Sequence, residues 1–151
     1  MNIESHIKTD KILEHKKALI NIIYTSNYIN EEIGHVLKPF DISIQQFNVL
    51  RILKGRNDKP ASLANIQNRM VSKMSNTTRL VDKLIDKELV SRSICENNRR
   101  KVEIIITTHG KSFLEEVNSS VEQKEKELTA HMTIEDLKQI NEILDHLRTK
   151  N

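Results

Sequence analysis

The sequence predicts a mainly α fold with one small β-wing: a winged helix-turn-helix reader flanked by N- and C-terminal dimerisation helices. Three observations carry that expectation. Apolar residues recur at helical spacing through most of the chain, whereas only Val90 to Thr107 reads as a pair of β-rich runs around a polar turn. Basic residues gather in and just before that stretch. The two ends carry apolar stripes opposite strongly charged faces, a pattern suited to packing between helices of different chains.

The first helix is expected from about Asp10 to Leu37, on the stripe of Ile12, Leu19, Ile20, Ile23, Ile29, Ile33 and Val36, and Pro39 stops it. Ser43 opens a second helix as a capping box with Gln46, and Ile44, Phe47, Leu50 and Leu53 repeat on one face until Gly55. A polar loop to Pro60 follows. Ser62 caps a short helix with Leu63, Ile66 and Met70 inside. Its partner starts near Ser75 and places small polar and basic residues on its first turn, with Leu80, Val81, Leu84 and Ile85 behind them for packing. Strands are expected at Val90 to Cys95 and Lys101 to Thr107, with Val102, Ile104 and Ile106 alternating, joined by a polar turn. Thr107 or Thr108 caps a long helix with Phe113, Val117, Val121 and Leu128, and Thr133 caps a last one with Leu137, Ile140, Leu144 and Leu147. At 151 residues the chain fits a single domain, 1–151, with the reader at about 60–107 and dimerisation helices at about 10–37 and 108–149.

Two short helices followed by a basic hairpin form the outline of a duplex-DNA reader. Charge agrees with pattern. Pro60 to Lys101 holds nine Lys or Arg against four acids, while the last fifty residues are net acidic. Residues expected to contact DNA are Lys73, Ser75, Asn76, Thr77, Thr78, Arg79, Lys83, Arg99 and Arg100. Asn76 and Thr77 suit base edges, and Arg79 suits a guanine or a phosphate. Ser75 serves as a helix cap, a phosphate ligand or both; Thr78 is either packed or exposed, and Lys83 either solvated or DNA-facing. The wing cations suit a phosphate backbone or the minor groove, the alternative being a solvated turn.

Other classes find less support. There is no Gly-rich phosphate loop, nucleophile elbow or metal-ligand cluster, so no enzyme and no cofactor is expected. The six histidines are scattered, and no metal site is expected. No aromatic lies between Pro60 and Lys101, which argues against reading single strands by stacking. The chain lacks any long apolar run, so neither a signal peptide nor a membrane span is expected, and a cytoplasmic location follows. The single Cys95 fits a reducing compartment and a small packed residue; a redox sensor is the alternative. A winged helix used only to bind protein is the other competing reading, and its sign would be an apolar or acidic recognition face.

The order of elements, with Ser75, Thr78, Arg79, Asp82 and Leu84 in the second reader helix and Asn98, Arg99, Arg100, Ile106, Thr107 and Gly110 around the wing, closely resembles the MarR family of bacterial transcription regulators. The resemblance spans essentially the whole chain. It implies a homodimer on a pseudo-palindromic operator in double-stranded DNA, with one recognition helix per major groove and wings in the flanking minor grooves; members of the family commonly respond to a small anionic or aromatic compound in a crevice between the dimer helices and the reader, while others sense oxidants through a cysteine or bind metal ions. Two positions depart from the family pattern. Asn98 replaces an acid, which predicts a looser wing with Arg100 lacking a charged partner, and Glu88 replaces a glycine, which predicts a recognition helix that ends without a left-handed cap.

Overall fold

A computed structural model describes residues 2–9 and 11–149. Ten elements follow one another: α1 (Ile3–His6), α2 (Glu14–Leu37), a 3-10 turn (Lys38–Phe40), α3 (Ile44–Lys54), α4 (Leu63–Arg69), α5 (Thr77–Asp86), β1 (Val90–Cys95), β2 (Asn98–Ile106), α6 (Thr108–Thr129) and α7 (Ile134–Arg148).

The helix starts follow local hydrogen-bond chemistry. Ser43 and Ser62 form capping boxes with Gln46 and Asn65, and Thr133 does the same with Asp136. The bond from Thr133 to the Asp136 carboxylate holds that acid below its ordinary pKa. Thr107, not Thr108, caps α6. The first long helix begins at Glu14, and the expected start at Asp10 lies outside the described residues. The short α1 was not foreseen: Asn2 caps it, Ile3 is buried, and a Glu4–Lys17 ion pair of 2.7 Å ties it to α2.

The core centres on α3, whose Phe47, Val49, Leu50 and Leu53 are buried among Ile66 and Met70 of α4, Val81 and Leu84 of α5, the hairpin's Ile104 and Ile106, and Leu114, Val117 and Val121 of α6. Each such side chain contributes about 1.5–3 kcal/mol relative to exposure. From α2 only Ile33 and Leu37 are buried, and from α7 none. Much of the remaining apolar surface of both helices faces outward, with Leu19, Ile23 and Ile29 of α2 and Ile140, Ile143 and Leu147 of α7 exposed, while Val36 packs against the core. α2 and α6 pack together and are joined by Lys124 and Glu32 at 3.3 Å.

β1 and β2 pair antiparallel from Val90–Ile106 to Ile94–Val102, after which the register jumps to Cys95–Asn98. The connection is therefore a two-residue turn, Glu96-Asn97, and not the longer polar turn expected from composition. Arg99, Arg100 and Lys101 form a bulge on β2, because three residues there face no partner on β1. Ala61 adds a bridge to Ile104 on the far side, with reciprocal bonds of 2.9 and 2.8 Å.

Glu88 contradicts the expected loss of the left-handed cap. It adopts φ 58°, its N–H bonds to the Ile85 carbonyl at 2.8 Å, and the Leu89 N–H bonds to the Leu84 carbonyl at 3.0 Å. This is a Schellman ending built on a glutamate. Thr107 supports it by donating its hydroxyl to the Glu88 carbonyl at 2.7 Å and its N–H to the Leu89 carbonyl at 3.1 Å. Tertiary bonds therefore enforce a conformation that the side chain disfavours.

Candidate nucleic-acid interface

The α4–α5 pair and the wing lie on one continuous segment, and α5 decides what that segment presents. Its inward face is Thr77, Val81 and Leu84, spaced four and three apart. Thr78, Arg79 and Lys83 consequently point to solvent, with Arg79 and Lys83 one turn apart on the same face.

Two expectations at the start of α5 need correcting. Ser75 does not cap the helix: Asn76 does, its Oδ1 accepting from the Arg79 N–H at 3.1 Å. Ser75 is half-buried, and its hydroxyl has no hydrogen-bond partner among the described residues. Thr77 is not on the outer face. It is buried and its hydroxyl donates to Gln67 Oε1, while Gln67 Nε2 donates to the Lys73 carbonyl at 2.9 Å. The helical period shows why: Thr77 stands four residues before Val81 and seven before Leu84, on the packing stripe.

Gln67 is a residue that sequence reasoning missed, since an amide in a short helix carries no motif. Its two ends clamp α4, the turn and α5 into one angle. Asn48 is a second, its Oδ1 accepting from the Val71 N–H at 3.0 Å across 23 residues. Lys73, a candidate, sits exposed in the turn, where its ammonium donates to the Asn68 carbonyl at 2.6 Å.

In the wing, Arg99 and Arg100 are exposed, as is Lys101 beside them, and none of the three makes an ion pair among the described residues. Asn98 Oδ1 accepts from the Arg100 N–H at 3.1 Å, so an Asx turn in place of a carboxylate ties down the start of the bulge. The hairpin is braced on the recognition helix by Arg92 and Asp82 at 3.2 Å. At the other end of α5, Lys87 pairs with Asp41 at 2.6 Å, and that hydrogen bond, with Lys87 and Lys83 charge nearby, holds the Asp41 carboxyl below its ordinary pKa. Cys95 is half-buried beside the turn.

The sequence profile of the MarR family matches residues 42–102, from α3 to the wing cations. The HTH-type transcriptional regulator YdgG of Bacillus subtilis (strain 168) is 37% identical over 112 residues, 72% of this chain and 72% of that protein. This chain belongs to the MarR family. Solved MarR-family structures share its fold. A mutant of MarR from E. coli complexed with operator DNA is 21% identical, covers 93% of this chain and 100% of its own, and superposes with a TM-score of 0.79. An organohalide-sensing transcriptional regulator in its 2,4-dichlorophenol-bound form is 18% identical, covers 90% and 80%, and gives 0.81. None of the described helices is long and apolar enough to cross a membrane.

Proposed function

We propose that two copies of this chain form a homodimeric transcription regulator that binds a pseudo-palindromic operator in duplex DNA. The observation that carries this is that α5 turns Arg79 and Lys83 to solvent while the hairpin braced on it through Arg92 and Asp82 carries three exposed cations that make no ion pair among the described residues. A polar, basic recognition face disfavours a module that binds only protein, and it suits an anionic groove. Lys73, Thr78, Arg79, Lys83, Arg99 and Arg100 are the contacts this reading assigns, with Asn76 reading bases through its amide while its oxygen caps the helix. Ser75 lines the cleft beside them. Thr77 supports the face from beneath.

Residues 60–107 act as the reader in this reading, and the helices of 10–37 and 108–149 as the dimerisation unit. The outward apolar stripes of α2 and α7 support that division, because a monomer would leave them in water. A crevice of about 530 Å³ between α2, α3 and the α4–α5 turn, lined by Ser26, Asn30, Ile33, Phe47, Arg51 and Met70, suits a small-molecule effector. The regulator works in the cytoplasm, without catalysis or cofactor.

The test is selection of bound duplexes from a random pool, followed by fluorescence anisotropy at several salt concentrations. The reading expects half-sites centred about 10 bp apart or a multiple of that. Arg99→Ala should weaken binding on most sequences and make the dependence of log affinity on log salt shallower. A pool without enrichment would refute operator binding.

A further inference from the structure

Met74 is 95% exposed, two residues before the Asn76 cap of the recognition helix. A single exposed apolar side chain is ordinary by itself. Its surroundings are not ordinary. Met74 lines a cleft with Ser75, Asn76, Arg79 and Lys83, beside the outward basic face of α5. Its backbone is fixed on both sides: the Lys73 carbonyl accepts from Gln67 at 2.9 Å, and the Ser75 N–H donates to the Ser72 carbonyl at 3.3 Å. The turn therefore holds a long apolar side chain at the mouth of a cationic surface. Val71, also exposed, lines the crevice with Arg51 instead.

A partner for this spot must be anionic at its rim, to meet Arg79 and Lys83, and apolar where Met74 reaches. Duplex DNA satisfies both, because phosphates border the major groove and thymine places a C5-methyl group on its floor. We propose that Met74 is a specificity-determining residue that packs on the methyl group of one thymine in each half-site. The unbranched thioether chain suits this, being flexible and polarisable. The proposal rests on the operator-binding reading above.

The experiment starts from a duplex selected by the wild-type protein and replaces each thymine in turn by deoxyuridine, which removes only the methyl group. Binding is measured by anisotropy for wild type, Met74→Ala and Met74→Leu. Wild type should lose affinity roughly fourfold at one symmetric thymine position per half-site, the effect of exposing one methyl-sized group. Met74→Leu should show the same loss, and Met74→Ala should bind the thymine and deoxyuridine duplexes equally. An equal loss in Met74→Ala, or no methyl-sensitive thymine in the wild type, overturns the assignment while leaving operator binding intact. Failure of the wild type to select any duplex overturns both. Conversion of Met74→Ala to a monomer in light scattering would show that protein, not DNA, covers the side chain, and would also overturn it.

Discussion

Gly110 and Gly34 are both helical glycines, and replacing each with alanine should move stability in opposite directions. A Cβ on Gly110 would stand 2.0 Å from the Leu89 carbonyl oxygen and 2.8 Å from Ile106 Cγ1. The first contact is with backbone, so no rotamer change relieves it; α6 or the α5–β1 junction must move by about 1 Å. That movement strains the Thr107 bonds to the Glu88 and Leu89 carbonyls and the cap bond from the Gly110 N–H to Thr107 Oγ1 at 2.9 Å. Overpacking costs about 1–3 kcal/mol or more, and each weakened hydrogen bond about 0.5–1.5 kcal/mol. Alanine's helix propensity returns about 1 kcal/mol. The net expectation for Gly110→Ala is a loss of about 3 kcal/mol or more, a fall of roughly 6–12 °C in Tm for a chain of this size. Gly34 in α2 has nothing within 4 Å of a built Cβ, so Gly34→Ala should gain up to about 1 kcal/mol. Urea denaturation and thermal melts at one fixed protein concentration decide it, since a dimer's stability depends on concentration. A Gly110→Ala protein within 1 kcal/mol of wild type would refute the close approach of α6 to the recognition helix's end.

Glu88→Gly should stabilise by about 0.5–1 kcal/mol, the left-handed strain removed exceeding the extra freedom of the unfolded glycine, and urea midpoints will show the sign. Asn76→Asp should keep the cap, and with it the wild-type Tm, while weakening operator binding through its charge and lost amide donor; Asn76→Ala should lose both, at about 1 kcal/mol of stability. Ile143→Asp, on the exposed stripe of α7, should yield a monomer with unchanged circular dichroism, and a dimer in light scattering would refute the helical interface. Asp41 and Asp136 are held below their ordinary pKa, so the stability they supply is present above about pH 4 and is lost as pH falls through their lowered values. Melts from about pH 5 to 2 should show a smaller decline for Asp41→Asn than for wild type.

Where a residue's signal was local, the sequence was enough. Ser43 with Gln46, Ser62, and Thr133 each announce a helix start through the spacing of an oxygen and backbone N–H groups, and all three occur as expected. Alternation at Val102, Ile104 and Ile106 placed the hairpin's inner face. Where the signal was tertiary, it was not enough. Glu88 occupies a conformation that local preference argues against, because Thr107, nineteen residues on, holds its carbonyl. Polar residues in a bulge and in a turn look alike by composition, so only the strand register places the wing turn. Thr77 stands on the Val81–Leu84 stripe, so the helical period alone signals its burial even though a threonine beside the cap suits base contact. Gln67 and Asn48 have roles that exist only once α3, α4 and the turn are assembled.

The bulge at Arg99 to Lys101 has a consequence for how copies of the protein avoid one another. A two-stranded ribbon offers its free edges as templates on which a foreign strand can grow, the usual start of sheet aggregation. Here one flank of β2 is occupied by Ala61 at Ile104, and its tip carries three consecutive cations in an irregular stretch that cannot continue a ladder. The outer strand, β1, is short and bears an arginine between two serines, Ser91, Arg92 and Ser93, all exposed. The hairpin thereby makes a poor template for a foreign strand at both of its edges.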